Sequence, residues 1–415
     1  MNFRWSVGRT VIYLVLTVGA ALMIFPFYWM VATSFQNRQE TASSTPVLIP
    51  EQMRLRNWVA SFQLGRQGRP GLLGGLLGGF RSGRSVSLEL TLANTSDGEV
   101  EAIIPKPLGV LSFPLGDDTL IETRLVSEGP EGGSLYRVTL TNQGESAYSR
   151  IPLEVRIPKG ATLLSSTLAP DGLRSSRRFN RVEYADIAPG AVGYLFRNYV
   201  AAWQAAPFGR YFFNSAFTAI VQVLAGLTVA SLAAFALARI PFWGREVVFV
   251  LILGTLMVPG EVLLIPNFVV LARLSWINTY FALIVPFIAS AFGIFLLRQF
   301  FLTLPQELFD AARIDGAGWL TQLWQIAIPL ALPGLLTYAL FAFLGSWNAL
   351  LWPLIVTNSD DMRTIQVGLR FFVEETGTDF GPMMAASTMA ILPIIIGFFF
   401  VQKQFIQGIA RSGLK

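Results

Sequence analysis

Few side chains in this sequence could do chemistry. The chain of 415 residues contains neither histidine nor cysteine, which excludes imidazole catalysis, thiol nucleophiles, disulfides and the usual zinc clusters. The phosphate-binding patterns GxxxxGKS/T and GxGxxG are absent as well. We therefore expect that the chain holds no metal and binds no nucleotide itself. The remaining candidates are carboxylates, amides and indoles within apolar runs.

Glu261 is the one carboxylate deep inside a long apolar run, and it is flanked by Pro259, Gly260 and Pro266. A buried ionisable residue in lipid is costly and usually faces a cavity or a partner. The proline and glycine breaks would leave backbone groups free to face a pathway. Two interpretations remain open: a group on a substrate pathway, or a structural acid that pairs with a neighbouring subunit.

Trp347, Asn348 and Trp352 form a second group of candidates, near the outer end of another apolar run. Sugars stack on aromatic faces and form hydrogen bonds with amides, so this group suits a carbohydrate site. Aromatic residues also form belts where a span meets water, and for Trp352 we favour that interpretation. Trp347 and Asn348 are therefore predicted, together with Glu261, to line the substrate pathway.

The segment "LPQELFDAARIDGAGWLTQL", residues 304–323, is polar although it separates two apolar runs. Thr303 and Gln306 have the spacing of a capping box, which predicts a helix from about Leu304 that ends at Gly316. A helix of this length is marginal alone. It would either lie on the membrane surface or be seated in a partner's cleft, presenting one face formed by Leu308, Ala311, Ala312 and Asp315.

Positioning these groups requires membrane-spanning helices. Hydrophobic residues make up 53% of the chain and charged residues only 14%, with a mean hydropathy of +0.53, which is typical of a membrane protein. The net charge of +5 fits basic cytoplasmic loops better than nucleic-acid binding. Six segments have the length of about 20 residues that a span needs: residues 11–33, 213–238, 247–271, 277–297, 326–356 and 383–401.

The loop charges predict the orientation. The segments on the side of the N-terminus hold nine basic residues and the short opposite loops hold three, so both termini and residues 304–323 are predicted to be cytoplasmic. The first span is too long for the apolar core of a signal peptide, which has about 7–15 residues.

Residues 64–196 differ from the rest of the chain and are predicted to form an extracytoplasmic domain. The domain begins with a glycine-rich run, residues 65–85, that is typical of a flexible linker. Alternating segments such as "SVSLELTLANTSDGEV" and "SLYRVTLTNQGES" predict a β-sandwich, and they resemble bacterial immunoglobulin-like domains. "RNWVASFQ", residues 56–63, reappears as "RNYVAAWQ", residues 197–204. We interpret the two copies as the junctions of an insertion; chance similarity is the alternative.

The motif spacing in the cytoplasmic segment resembles that of a known family. Asp310, Ala311 and Ala312 are followed after three residues by Gly316, and nine residues later by "IAIP", residues 326–329. This order resembles the "EAA" loop, here residues 304–329, of ATP-binding-cassette importer permeases, most closely the sugar permeases of the maltose type. "PFGRYFFNSAFTAI", "MVPGEVLLIPNFVVL" and "WNALLWPLIV" also look like that family. The resemblance covers residues 1 to about 63 and 197–415.

The resemblance implies a mainly α-helical membrane protein with six transmembrane helices of the importer-permease type. The β-sandwich is an insertion that the family pattern does not cover, between residues 1–63 and the permease core 197–415. The helix at about residues 305–316 would be the coupling helix, which docks on a separate ATPase. The residues implied in that contact are Glu307, Leu308, Asp310, Ala311, Ala312, Asp315 and Gly316.

The implied function is that of a permease subunit in an ATP-driven, binding-protein-dependent sugar importer that works by alternating access. ATP and Mg²⁺ would bind the partner ATPase dimer, so this chain would be neither an enzyme nor a cofactor carrier. The other implied partners are a second permease subunit, an extracytoplasmic solute-binding protein, the sugar and the lipid bilayer of a bacterial or archaeal plasma membrane; nucleic acid is not among them.

Two rival functions follow from the same sequence. The first is an ion-coupled secondary transporter that uses Glu261, although six spans without a detectable inverted repeat argue against it. The second is a membrane anchor that displays its β-domain, for which a single span would suffice.

Overall fold

The computed structural model of the chain describes residues 7–41, 46–93, 95, 99–104, 119–128, 133–145, 153–158, 160–167, 172–173, 181–184, 190–376 and 380–412. Contacts between residues divide the chain into two units. The first consists of Met1–Ala205 and Glu375–Met389, and the second of Ala206–Glu374 and Ala390–Lys415.

The first unit begins with a long apolar helix, α1 (Val7–Ser34). Shorter helices follow it: α2 (Arg38–Thr41), α3 (Leu55–Gly68) and α4 (Leu72–Leu77), and further along the chain α5 (Gly190–Leu195) and α6 (Arg197–Ala205). The two copies of the repeated segment therefore lie in helices, the first in α3 and the second in α6.

The prediction of a flexible linker at residues 65–85 is wrong, because about half of that run lies in α3 and α4 and its glycines pack closely. Its glycines permit close packing of backbones. A Cβ atom on Gly65 would meet the Gly74 carbonyl oxygen and would lie 2.9 Å from Cα of Gly190. A Cβ atom on Gly75 would collide with the ring of Phe62. The glycine-rich run is thus a packed helical hairpin rather than a spacer.

The described part of the insertion contains eight strands in two four-stranded antiparallel sheets, with orders β3-β4-β1-β6 and β2-β5-β8-β7. The strands are β1 (Ser85–Ala93), β2 (Glu101–Ile103), β3 (Thr119–Glu128), β4 (Gly133–Asn142), β5 (Leu153–Arg156), β6 (Thr162–Ser166), β7 (Gly172–Leu173) and β8 (Arg181–Tyr184).

Alternation of buried and exposed residues places the core of the insertion between these strands. Leu88 of β1 lies opposite Val138 of β4 and Val86 opposite Leu140. All four belong to one apolar cluster that also contains Val155 of β5, so both sheets contribute to a shared core. The alternation predicted from the sequence is present in β1 and in most of β4, and the immunoglobulin-like character of the insertion stays a prediction.

The second unit is helical in its described residues. Its elements are α7 (Phe208–Arg239), α8 (Arg245–Thr255), α9 (Leu264–Arg273), α10 (Tyr280–Ile284), α11 (Ala291–Leu302), α12 (Gln306–Ile314), α13 (Trp319–Gln322), α14 (Ile328–Leu330), α15 (Leu332–Trp347), α16 (Leu351–Val356) and α17 (Ile365–Thr376). The last helix of the chain is α18 (Phe380–Ser412).

The described helices supply up to six membrane spans. Three are single helices of sufficient length and apolarity, Val11–Ser34, Phe208–Arg239 and Phe380–Phe399, and three are bent pairs. The pairs bend by 89° between α8 and α9, by 42° before α11, and by 81° between Trp319–Leu330 and α15. The fifth predicted span, 326–356, is therefore not one straight element: its first residues precede the 81° bend, and α16 is a separate helix.

Candidate functional site

The predicted contact helix is present as α12, but its N-terminal end differs from the prediction. The helix begins at Gln306 and its N-cap residue is Pro305, with no side-chain cap. The Thr303 hydroxyl instead donates to the carbonyl oxygen of Phe300, at 2.8 Å, in the preceding helix. The capping-box prediction is therefore wrong, because Thr303 ends α11 rather than starting α12.

The C-terminal end of α12 agrees with the prediction. Gly316 has φ +79°, in the left-handed region where glycine is favoured. The N–H of Gly316 donates to the carbonyl of Arg313 at 3.0 Å, and that of Ala317 donates to the carbonyl of Ala312 at 2.8 Å. This pair of bonds is a Schellman motif, which satisfies two carbonyls that would otherwise lack partners.

One side of α12 is anchored in the second unit through Phe309. Its ring is only 1% exposed and belongs to the apolar cluster that includes Phe235 of α7, whose ring centroid is 6.2 Å away. The guanidinium of Arg239 lies over the same ring at 4.3 Å. Phe309 is not among the residues predicted from the sequence, although a lone aromatic residue within a polar helix was the available signal.

The other sides of α12 are open. The residues implied in partner contact are exposed, apart from Ala312, which is half-buried: Glu307, Leu308, Asp310, Ala311, Asp315 and Gly316. Large apolar side chains stand exposed beside them, with Ile314 at 87% and Leu320 and Trp324 more than half exposed. An anchored helix surrounded by exposed apolar residues is an arrangement suited to docking on another protein.

The chain after α12 runs back to the bundle through an irregular helix. A π-helical stretch, Leu323–Ala327, lies between α13 and α14, and the 81° bend follows it at the start of α15. Single-turn π-helical insertions are frequent at functional sites. This stretch lies on the direct route between α12 and α15.

A second candidate site is a cavity of about 230 Å³ inside the second unit. Its walls come from α7, from residues 283–292 and from α15 to residue 364. Aromatic residues form one part of the wall, and hydroxyl and amide groups form the other: Ser215, Thr218, Gln222, Ser290, Ser346 and Thr364. The lining contains no ionisable side chain other than tyrosine.

Two hydroxyl groups of this cavity have no hydrogen-bond partner among the described residues, those of Thr218 and Thr364. Both residues are only 4% exposed. A buried hydroxyl without a partner costs about 1–3 kcal/mol, so a polar group that enters the cavity would gain by bonding to either one. Other polar groups of the wall are already engaged, since Gln222 donates to the Leu283 carbonyl at 2.6 Å and Ser215 accepts from the N–H of Ile365 at 2.8 Å.

The three predicted pathway residues, Glu261, Trp347 and Asn348, do not line this cavity. Trp352 lines the cavity and is buried, with its indole N–H donated to the Ala282 carbonyl at 2.9 Å, so its assignment to an interfacial belt is wrong. Trp347 is also buried; it donates to the Ala390 carbonyl at 3.0 Å and stacks on Phe343. Its polar group is therefore engaged within the bundle.

Asn348 and Glu261 are exposed and lie outside the lining of the cavity. Asn348 follows α15 and is within 3.5 Å of the Gln366 amide. Glu261 lies in a 3-10 turn, Gly260–Leu263, at the 89° bend between α8 and α9. The break predicted from Pro259 and Gly260 is thus present, and Glu261 forms no ion pair within the described residues.

Comparisons with known proteins agree on one family. Residues 222–411 match the family described as "Binding-protein-dependent transport system inner membrane component". The chain is 40% identical over 212 residues to the arabinooligosaccharides transport system permease protein AraQ of Halalkalibacterium halodurans, which covers 51% of this chain and 76% of that protein. It is 34% identical to the AraQ protein of Bacillus subtilis, over 68% of this chain and 97% of the relative.

Two further matches are a relative whose name gives a different substrate and a chain in a solved structure. The sn-glycerol-3-phosphate transport system permease protein UgpE of Yersinia enterocolitica is 37% identical, over 53% of this chain and 81% of its own length. A chain in the crystal structure of a bacterial ABC transporter involved in the import of the acidic polysaccharide alginate is 28% identical. The match has a TM-score of 0.47 and covers 51% of this chain and 79% of that chain.

Proposed function

The chain belongs to the family of binding-protein-dependent transport system inner membrane components, and on that premise we propose that it is the permease subunit of an ATP-driven sugar importer. The observation that carries the proposal is α12. This short helix is terminated at Gly316 and anchored by Phe309, and the motif residues on its other faces are exposed. ATP hydrolysis then takes place on a separate partner subunit.

The proposed mechanism is alternating access driven through α12. A separate ATPase can drive transport only by favouring one of two packings of the permease. For that, α12 must be held by the ATPase on one side and by the permease on the other. Its exposed residues and neighbouring apolar side chains supply the first contact, and Phe309 with Arg239 supplies the second.

The cavity lined by Thr218 and Thr364 is proposed to hold a sugar unit of the cargo. Hydroxyl and amide groups beside aromatic rings suit carbohydrate, and a wall with no ionised side chain favours a neutral sugar over a phosphate ester. The names of the two AraQ relatives indicate arabino-oligosaccharides as their cargo. The volume of about 230 Å³ is below the about 300–1,000 Å³ of pockets for drug-sized ligands, so we propose that it holds one unit of the sugar.

The proposed arrangement in the cell follows from the same function. Both termini and α12 lie in the cytoplasm of a bacterial or archaeal cell, and the β-domain, residues 64–196, lies outside. A second permease subunit completes the pathway, and a solute-binding protein delivers the sugar. Glu261, Trp347 and Asn348 remain proposed pathway residues, with Trp347 acting through packing because its indole N–H is engaged.

Uptake measurements on the reconstituted complex test the proposal. The permease would be placed in proteoliposomes with its partner permease, ATPase and binding protein, and labelled arabino-oligosaccharide and glycerol 3-phosphate would be compared. We expect ATP-dependent uptake of the neutral sugar. Thr218→Val with Thr364→Val should raise the half-saturating sugar concentration about tenfold, because two hydrogen bonds of about 0.5–1.5 kcal/mol each are lost.

A matched control separates binding from general damage. Thr228 lies on α7 as well, but it donates to the Leu224 carbonyl of its own helix at 2.9 Å and lies outside the cavity. Thr228→Val should leave the half-saturating concentration unchanged. Uptake that does not depend on ATP would refute the proposed function, and equal effects of the cavity and control variants would refute the assignment of the cavity.

A further inference from the structure

The ends of α7 and α11 share a feature that the proposed function does not use. In each helix a carbonyl lies four residues before a proline: Leu237 before Pro241, and Phe301 before Pro305. In a continuing helix that carbonyl would accept the N–H of the fourth following residue, and proline has none. Each helix therefore ends with a carbonyl that lacks its usual helical donor. The Phe301 carbonyl keeps a long bond, 3.4 Å from the N–H of Leu304.

Arg298 of α11 supplies the donor for α7. Its Nε donates to the Leu237 carbonyl at 3.2 Å, and the residue is 8% exposed. The same guanidinium reaches the helix beyond Pro241, where Nη2 donates to the Glu246 carboxylate at 3.1 Å and the plane lies over Phe249 at 3.9 Å. One arginine of α11 thus joins α7 to α8.

Arg239 of α7 supplies the donor for α11 in return. Its Nη2 donates to the carbonyls of Phe301 and Leu304, the latter at 2.6 Å. It too reaches the helix beyond the proline, where Nη1 donates to the side chain of Gln306 at 2.6 Å and the guanidinium lies over Phe309 at 4.3 Å. One arginine of α7 thus joins α11 to α12.

We propose that Arg239 and Arg298 form a reciprocal brace that transmits movement of α12 to α7, α8 and α11. The inference rests on the proposed function, since it concerns how the coupling helix acts on the spans. Both arginines are positioning residues. Without these contacts, α12 could swing at Pro305 without moving α11, and α8 could swing at Pro241 without moving α7. A planar guanidinium group with several donors bridges each break.

Conservative substitution of the two arginines tests the brace. Arg239→Lys and Arg298→Lys keep the charge and lose the planar fork that binds two or more acceptors at once. In proteoliposomes with the partner permease, ATPase and binding protein, we expect sugar transported per ATP hydrolysed to fall about tenfold, the effect of one charged hydrogen bond. The ATPase should still copurify. The double variant should transport little less sugar per ATP than either single variant, because both arginines belong to the same brace.

Arg245→Lys is the matched control, since Arg245 lies in the same region and pairs with Glu246 by an exposed contact at 3.2 Å. It should keep the wild-type ratio of sugar to ATP. A wild-type ratio in both brace variants would overturn the inference while leaving the proposed function intact. A wild-type complex that fails to transport would refute the proposed function instead.

A second measurement does not depend on transport or assembly. Amide hydrogen exchange of the permease alone in nanodiscs should be faster in α12 of the Arg239→Lys variant than in the wild type or in Arg245→Lys. Unchanged exchange in α12 would show that Arg239 does not hold that helix and would overturn the brace.

Discussion

Substitution of Gly316 tests the coupling helix most directly, because backbone strain is its only expected effect. The residue has φ +79°, and a Cβ atom added there would meet no heavy atom within 4 Å. An L-residue in the left-handed region costs about 1–2 kcal/mol. Replacing glycine also reduces the conformational entropy of the unfolded chain, and this offsets about 0.4–1 kcal/mol of that cost. Gly316→Ala should therefore cost about 1 kcal/mol, and Gly316→Val more, up to about 3 kcal/mol.

These energies predict how often the Schellman motif opens. A cost of about 1.4 kcal/mol changes an equilibrium tenfold, so Gly316→Val should open the end of α12 about a hundredfold more often. The amide of Ala317, which donates to the Ala312 carbonyl, reports this opening by hydrogen exchange. The affinity for the ATPase should fall in proportion to the remaining closed fraction, since docking requires the closed helix.

Gly318 provides the matched control. A Cβ atom there also meets nothing within 4 Å, but its φ of −70° and ψ of 167° are open to any residue. Gly318→Val should leave exchange at Ala317 and ATPase binding near the wild type. Gly316→Asn should retain most of the function, because asparagine tolerates the left-handed region. Equal effects of valine at positions 316 and 318 would refute the strain argument.

Three further predictions concern other described residues. Ala312→Glu should leave the protein in the membrane but prevent copurification of the ATPase, because an unpaired charge buried in the contact costs about 3 kcal/mol or more; copurification at wild-type yield would contradict this. Glu261→Gln and Asn348→Ala should each lower sugar uptake if these residues line the pathway, and unchanged uptake and affinity would remove them from it. Burial raises the pKa of Glu40 above its ordinary value of 4.5, so its contribution to stability is present below pH 4.5 and is lost as the pH rises through the raised pKa. Thermal unfolding followed across that range should therefore depend on pH less in Glu40→Gln than in the wild type.

Features that depend on one local property could be predicted from the sequence. The apolar segments needed only their length to indicate spans, and the described helices supply three single spans and up to six when each bent pair counts as one. The role of Gly316 as a helix terminator could be predicted from its position after a periodic run, because a helix that ends in the left-handed region favours glycine there. The predicted start of α12 was wrong because the same residues also fit the end of the preceding helix. Thr303 is the C-cap residue of α11 and Pro305 is the N-cap residue of α12, so no capping box forms.

Features that depend on several elements were not predictable. The glycine-rich run has the composition of a linker, and only the approach of α3, α4 and α5 shows that its glycines are packing residues. The cavity takes Thr218 from α7 and Thr364 from a loop. Each is an ordinary residue in its own segment, so no local pattern marks it. The brace likewise required knowledge of which arginine faces which proline break.

The two copies of the repeated segment make similar contacts in the first unit. In α6 the Asn198 amide donates to the carbonyls of Ser34 and Gln36, both at 2.8 Å. In α3 the Asn57 amide donates to the carbonyl of Glu51 at 3.0 Å. Each copy therefore begins a helix whose asparagine binds backbone at or beyond the end of α1. The copy that precedes α7 is the one that holds the end of α1.

This equivalence predicts the outcome of removing the β-domain. If Gln63 is joined directly to Ala205, the remaining copy leads into α7, and Asn57 occupies the position in sequence that Asn198 had. The excised segment takes most of its own apolar core with it, so the spans need not depend on it for folding. We expect the shortened chain to insert in the membrane and to copurify with the partner permease and the ATPase. Adding Asn57→Ala to it should abolish that assembly, because no amide is left to hold the end of α1. Normal insertion of the shortened chain without assembly would show instead that the β-domain is an integral part of the complex.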